Sequence, residues 1–464
     1  TAPLGAIDSS ASGRYVVGGA WGSNYSTSVA YPPVSGSWAE ASPFDAMDMH
    51  EFRLRAVYAE DPGTGASPTT AYAVGQFGLI MKTIDAGATW AVQRILSIPA
   101  QLNGCAPLNP SILTPSGEED AFLRDIQFWN TNQGAAVGEP YDNGDTPPTH
   151  NVSIVYTADA GATWTTASVA QPAGRVKLRA IDVAPTHTGI ALGNHADGSF
   201  AMYLTSNRGA SWGEWPAAFQ PPVTGVTWED VSYDGTSNII IVGWQPLAAG
   251  ETQAIAYWWG RDPNGSFSWH DISPAHDASL DSDGNVPTRK LFSIGSSAGL
   301  LTTGTTYACG NDGMLLRFDG SIPALVNTPG VFEITSPLGT PMITQQRIKA
   351  DLRAIDVSPS GDHAFAGTEY DIDDAADKFL GWAYALDNGV WSLIRQHTGK
   401  DVRSVSLVTG GAGFVVGRTS AASGNGERLD APNSCQFSSS EHGSHSFNES
   451  NVADAILLAY FPFL

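Results

Sequence analysis

The sequence predicts an all-β fold built from repeated four-stranded antiparallel sheets. Three features recur along the chain and predict it: an apolar strand that ends in glycine, a strand that carries an arginine, and a turn that ends in tryptophan. The composition agrees, because 50 glycines, 29 prolines and only 15% charged residues suit many short strands joined by tight turns. An all-β chain of 464 residues can still form one closed unit.

The glycine strand is the first recurring element. Apolar residues stand directly before the glycine, as in the Val-Val-Gly sequence at positions 16–18. The eight glycines are Gly18, Gly75, Gly138, Gly193, Gly243, Gly310, Gly367 and Gly417. Repeats with a period of roughly 40 to 60 residues are typical of propellers and other arrays. The chain is therefore interpreted as eight units.

A second strand begins about 15 to 20 residues before most of these glycines. Its best copies read Leu-Arg-Ala-Ile or a close variant, and this alternation with a period of two predicts a half-buried strand. The arginines of the five best copies are Arg55, Arg124, Arg179, Arg353 and Arg403. Three weaker copies carry Gly5, Glu229 and Phe292 at the same position.

A turn of fixed pattern follows the third strand of several units. Its closest copies span residues 83–90, 157–164 and 205–212, and they share Thr, Asp or Asn, Gly, Thr or Ser, and Trp in that order. Asp or Asn closes such a turn through its side chain, glycine adopts a positive φ, and tryptophan packs between sheets. Each unit therefore contains four strands.

One four-stranded sheet cannot bury both of its faces, whereas a ring of sheets buries every face and leaves only short edges. The sequence therefore predicts a single β-propeller domain over residues 1–464. Eight blades with an incomplete last blade are favoured, and seven blades are the alternative. The predicted units span about 4–45, 52–100, 121–170, 176–218, 227–273, 289–330, 350–397 and 401–464.

The turn resembles the Asp-box, or BNR repeat, of sialidases, xyloglucan-cleaving glycosidases and sortilin-type receptors. The whole unit most resembles the photosystem II stability/assembly-factor-like propellers, and residues 50–215 carry most of that likeness. The resemblance implies an exported, non-catalytic binding protein whose arginines near the propeller axis receive a polypeptide. Arg55, Arg124, Arg179, Arg353 and Arg403 match the arginine position. Gly5, Glu229 and Phe292 depart from it, so the implied basic patch is incomplete.

Strand order predicts that the repeated arginines and the residues after each glycine share one face, with the turns at the opposite face. One hypothesis is that the arginines bind a carboxylate or an acidic peptide of a protein partner. The alternative is that they pair with neighbouring acids and hold adjacent blades together. The candidate acids are Asp125, Glu139, Asp182, Asp356 and Glu369. Both roles can coexist.

Several function classes are disfavoured. A formal charge of −23 opposes binding to nucleic acid and to anionic membranes, and no apolar run reaches the roughly 18 residues of a membrane span. No phosphate loop, nucleophile elbow or sialidase arginine motif is present, so no catalytic residue and no cofactor are expected. A non-catalytic, protein-binding propeller is favoured. A subunit of a surface or filament assembly and an Asp-box glycoside hydrolase are the alternatives.

Compartment, cysteines and metal sites complete the sequence-based expectations. The start at Thr1 without a methionine suits an exported chain, although a trimmed chain would begin in the same way. If a disulfide forms, Cys105 and Cys435 are its expected partners, and three free thiols are the alternative. Acidic loops at 277–285 and 371–377 and the His442–His445 stretch are candidate metal sites, with solvated loops as the simpler interpretation.

Overall fold

A computed structural model describes the chain in discrete ranges, and the structural statements below concern those residues. The ranges are 8–9, 15–20, 27–31, 39–41, 54–62, 69–75, 78–86, 90–94, 120–140, 152–169, 174–235, 237–247, 250–261, 264–274, 289–297, 306–311, 314–318, 330–331, 352–359, 361, 363–368, 381–387, 390–397, 400–407, 413–419 and 454–460. Among them, no helix is long and apolar enough to cross a membrane.

The described elements are β-strands and one short 3-10 segment, Ala217–Phe219. The first strands are β1 (Asp8–Ser9), β2 (Tyr15–Ala20), β3 (Thr27–Tyr31), β4 (Ala39–Ala41), β5 (Leu54–Ala59), β6 (Ala71–Gly75), β7 (Ile80–Thr83) and β8 (Ala91–Arg94). Next come β9 (Asp120–Asn130), β10 (Gln133–Pro140), β11 (Ser153–Thr157), β12 (Thr165–Thr166), β13 (Ser168–Val169), β14 (Val176–Val183), β15 (Gly189–His195), β16 (Phe200–Thr205) and β17 (Ser211–Glu214).

The remaining strands continue the same pattern of short antiparallel neighbours. They are β18 (Thr227–Tyr233), β19 (Ile239–Pro246), β20 (Thr252–Arg261), β21 (Phe267–Asp271), β22 (Leu291–Ser296), β23 (Thr306–Gly310), β24 (Leu315–Phe318) and β25 (Gly330–Val331). The last are β26 (Leu352–Val357), β27 (His363–Thr368), β28 (Gly381–Asp387), β29 (Val390–His397), β30 (Lys400–Leu407), β31 (Gly413–Thr419) and β32 (Asp454–Tyr460).

The described strands form seven sheets, and most of these are four-stranded and antiparallel. Five sheets contain four consecutive strands each: β5–β8, β9–β12, β18–β21, β22–β25 and β26–β29. A sixth contains β14–β17, and β13 joins its outer edge in parallel with β17. The seventh has the order β30-β31-β32-β2-β3-β4, with β1 paired to β2. The predicted all-β propeller of four-stranded blades is therefore confirmed.

One edge strand of each sheet belongs to the inner wall of a ring. These inner strands are β5, β9, β14, β18, β22, β26 and β30. Each one packs against the next along the chain, and β30 packs against β5. The N–H of Ala59 in β5 donates to Oγ of Ser406 in β30 at 3.0 Å, so the last inner strand meets the first.

The predicted first unit does not supply an inner strand among the described residues. Its strand β2 instead pairs with β32, in the register Val17 to Leu458. This pairing covers the outer edge of the last unit, for which the sequence predicts only three strands. The preference for eight blades is therefore not confirmed, because the first and last predicted units share one sheet.

Apolar clusters fill the gaps between neighbouring sheets. Between the β9–β12 and β14–β17 sheets, Ile154, Leu178 and Tyr203 are fully buried and pack with Trp212. Similar clusters fill the gaps on either side of the β18–β21 sheet and the gap between the β5–β8 and β9–β12 sheets. Burial of both faces explains why the central strands are continuously apolar.

Candidate functional site

A one-residue bulge in every described inner strand explains the repeated arginine. In β14, Leu178 pairs with Gly193 and Ala180 pairs with Leu192, so Arg179 has no partner in the ladder. A bulge of this kind turns the side chain of the extra residue away from the regular alternation of the strand. The bulge residues around the ring are Arg55, Arg124, Arg179, Glu229, Phe292, Arg353 and Arg403.

The repeated glycine is the partner that the bulge requires. A Cβ added to Gly193 would lie 1.9 Å from the carbonyl oxygen of Lys177, which is far inside van der Waals contact. The same clash, at 1.8 to 2.1 Å, would arise at Gly138, Gly243 and Gly310. The glycine is thus needed because the bulged arginine strand comes too close for any side chain at that position.

Six of the seven bulge residues line a cavity of about 200 Å³ in the centre of the ring. Arg55, Arg124, Arg179 and Arg353 line it together with Glu229 and Phe292. The side chain of the fifth predicted site residue, Arg403, lies outside the described residues, although its strand β30 belongs to the ring. Four of the five predicted site residues are therefore brought together.

Acidic partners hold two of these arginines. Nη2 of Arg124 lies 2.6 Å from Oε1 of Glu139, the residue that follows Gly138. Nη1 of Arg179 lies 2.9 Å from Oε2 of Glu229, which belongs to the next blade. Each arginine side chain remains 27% exposed, so these pairs face the channel and are not sealed in the wall.

Aromatic residues complete the same surface. Nε1 of Trp244 donates to Oε1 of Glu229 at 3.0 Å, and the ammonium group of Lys290 lies 4.3 Å from the centre of the Trp244 ring. The guanidinium group of Arg353 lies 3.8 Å from the ring centre of Phe292. Arginine can interact with an aromatic ring and still direct N–H groups toward a ligand. These bulge residues and their partners are called the channel mouth below.

The remaining predicted acids have another role. Asp125, Asp182 and Asp356 accept hydrogen bonds from backbone N–H groups, and the distances are 2.7 to 2.8 Å. Glu369 lies outside the described residues. Sequence reasoning missed Asp230, which uses its carboxylate in the same way. We call Asp125, Asp182, Asp230 and Asp356 the channel aspartates.

Burial shifts the ionisation of the channel aspartates. It raises the pKa of Asp182 and that of Asp356 to about 7, and the pKa of Asp230 to about 6. The pKa of Asp125 is also raised, by burial and then by the nearby carboxylate of Asp230. Hydrogen bonds from the backbone oppose these shifts but do not cancel them.

The predicted turns lie at the other end of the sheets. In one, Asp159 accepts hydrogen bonds from Thr157 Oγ1 at 2.8 Å and from the backbone N–H of Thr163 at 2.8 Å. Gly161 has a φ of +79°, as the sequence predicts, but Ala160 before it is also left-handed, with a φ of +57°. This second strained residue was not predicted.

Other candidate sites gain no support from the described residues. Among these, no three His, Cys, Asp or Glu side chains are grouped as metal ligands. Both acidic loops and the His442–His445 stretch lie outside the described ranges, as do Cys105 and Cys435. Cys309 is a buried free thiol in β23.

Comparison with solved structures identifies the type of fold. YCF48 from Cyanidioschyzon merolae matches with a TM-score of 0.50 and 15% sequence identity, over 89% of this chain and 96% of that one. The chain is a β-propeller similar to YCF48. A structure described as YCF48 bound to D1 peptide matches with a TM-score of 0.44 and 14% identity, over 80% of this chain and 91% of that one. No protein-family model and no curated protein sequence matches the chain.

Proposed function

We propose that this propeller is a non-catalytic binding protein that receives an acidic or carboxylate-bearing segment of a protein partner at the channel mouth. One observation carries the proposal: four arginines on four different blades line a single cavity. Guanidinium groups recognise carboxylates through paired hydrogen bonds. A ring of blades supplies several such groups around one opening, which no single strand could do.

The internal ion pairs fit this role. Glu139 and Glu229 show that carboxylates can reach Arg124 and Arg179 with distances of 2.6 and 2.9 Å. Because the paired side chains remain partly exposed, an incoming carboxylate can share or replace these contacts. Arg179 also fits the alternative role of holding blades together, since its partner Glu229 belongs to the neighbouring blade. We also infer an extracytoplasmic location, which rests on the family resemblance.

A binding measurement tests the proposal. The probe is a fluorescent peptide of alternating glutamate and glycine with a free carboxyl terminus, and capture from the native source supplies the natural partner. We expect the double variant Arg179→Glu and Arg353→Glu to bind the peptide at least about tenfold more weakly, because two attractive charges become repulsive.

The control is Arg261→Glu, which reverses an exposed arginine at the end of β20, outside the cavity. Its affinity for the peptide should stay within about twofold of the wild type. Circular dichroism and unfolding curves establish that both variants are folded. Peptide binding that is equal in all three proteins, or absent from the wild type, contradicts the proposal.

A further inference from the structure

The channel aspartates follow a common rule that the proposed function does not use. Each stands either one or three residues after the bulge residue of its strand. Oδ1 accepts the N–H of the next residue in the same strand, at 2.7 to 2.8 Å. Oδ2 accepts an N–H of the neighbouring inner strand, at 2.7 to 2.9 Å.

The bonds between blades share one register. Asp125 accepts from Ile181, and Asp182 accepts from Tyr233. Asp230 accepts from Ile294 and Asp356 from Leu407. Positions are counted from the bulge residue of each strand. On this count the donor always stands one position further along its own strand than the aspartate stands along its strand. Asp125, Asp182 and Asp230 therefore join four consecutive inner strands, β9, β14, β18 and β22, by equivalent contacts, and Asp356 joins β26 to β30 in the same way.

Neutral side chains make the same contact elsewhere in the ring. Oγ of Ser406 accepts from Ala59 at 3.0 Å, and Oγ of Ser404 accepts from Val57 at 3.4 Å. Oγ of Ser293 accepts from Ile355 at 3.4 Å. Ser406 stands three residues after its bulge residue, as Asp182 and Asp356 do. The inter-blade bond therefore does not require a charge.

The charged neighbours that raise the pKa values of the channel aspartates are other carboxylates. The negative charges of Asp230 and Asp356 raise the pKa of Asp182, and that of Glu229 raises the pKa of Asp230. The arginines belong to the same cavity but stand at the bulge, earlier in each strand. Other charged or titratable groups that line the cavity or interact with the channel aspartates are Arg55, Arg124, Arg179, Arg353, Tyr233 and Cys309.

We propose that the channel aspartates make the cohesion of the blade ring depend on pH, with the closed ring most stable when these carboxyl groups are protonated. Ionised carboxylates repel one another across a narrow channel, whereas protonated ones do not. A proton on Oδ1 gives up the contact within the strand, while Oδ2 remains a carbonyl oxygen that accepts the N–H of the neighbouring inner strand. The ring is then held without the electrostatic repulsion.

The direction of the effect follows from proton linkage. The pKa values of Asp182, Asp230 and Asp356 in the folded protein are raised to about 6 to 7, whereas an unfolded chain has the ordinary value near 4. Between these values the folded state binds more protons than the unfolded state. The contribution of these groups to stability is therefore fully present below about pH 4 and is lost as the pH rises from there through about 7.

Thermal unfolding of the full chain between pH 5 and pH 8 tests this inference. We expect the Tm of the wild type to fall by at least about 3 °C across this interval. The variant Asp182→Ser with Asp356→Ser copies the neutral contact of Ser406 and should lose at least half of that dependence. Asp271→Asn removes an exposed acid of β21 and should keep the wild-type profile.

Two results would overturn the inference. A wild-type Tm that is constant or rises from pH 5 to pH 8 overturns the inference, whatever the variants do. An unchanged pH dependence in the double serine variant overturns it as well, because the charge would then reside elsewhere. If that variant does not fold, Asp230→Asn replaces it, with the same expectation of a reduced slope.

Discussion

At the scale of single residues, Asp159 organises the turn between β11 and β12. Its carboxylate accepts from Thr157 Oγ1, from the Thr163 N–H and from Thr163 Oγ1, the last at 2.6 Å. Partial burial opposes ionisation, but these hydrogen bonds outweigh it and lower the pKa of Asp159. This carboxylate therefore stabilises the fold above its unfolded pKa, and the stabilisation is lost as the pH falls.

We predict that Asp159→Ala lowers the free energy of unfolding by about 1 kcal/mol, because it removes three hydrogen-bond acceptor contacts at an exposed site. Asp159→Asn should be nearly neutral. Asn207 stands at the equivalent position of the next turn and makes equivalent contacts. It accepts from the Ser211 N–H at 3.0 Å and donates to Ser211 Oγ at 2.8 Å. Chemical denaturation of the two variants measures the difference, and equal stability of both would contradict this assignment.

The chemistry of these turns was predictable from sequence, because the side chain and its partners lie within a few residues of one another. The channel aspartates were not predictable in the same way. The sequence indicated Asp125, Asp182 and Asp356 as arginine partners, and the structure shows them bonded to backbone N–H groups of the next blade. Their donors lie 51 to 56 residues away in the sequence, so local spacing carries no signal.

At the scale of elements, the bulge links the two most regular sequence features. The sequence shows a repeated arginine and a repeated glycine, and strand order predicts that they share an end of the sheet. It does not show that they face each other across an irregular ladder, because a one-residue shift depends on how two strands pair. The close contact between each glycine and a backbone carbonyl is visible only in three dimensions.

We predict that Gly193→Ala lowers the free energy of unfolding by about 2 kcal/mol, because the new Cβ would overlap the carbonyl oxygen of Lys177. The control is Gly213→Ala in β17, where an added Cβ meets no atom within 4 Å. The control should change stability by less than about 0.5 kcal/mol. Similar losses for both variants in a denaturation series would refute the role given to the bulge.

At the scale of the whole molecule, the sequence predicts a ring of repeated sheets and the structure confirms the propeller. The eight sequence units do not correspond to eight separate sheets among the described strands, because β2, β3 and β4 extend the sheet of β30–β32. A repeat count alone cannot tell whether a terminal unit enters the ring or adds to an outer edge. That choice depends on pairing between the two ends of the chain.

The central claim is that the ring closes directly between β30 and β5, which brings the arginines to one channel mouth. Amide hydrogen exchange at Ala59 tests it, because its N–H donates to Ser406 Oγ across this boundary. In Ser406→Ala, we predict about fivefold faster exchange at Ala59, while Tyr233, bonded to Asp182 at another boundary, keeps its rate. An Ala59 rate unaffected by the substitution would mean that β30 and β5 are not neighbours.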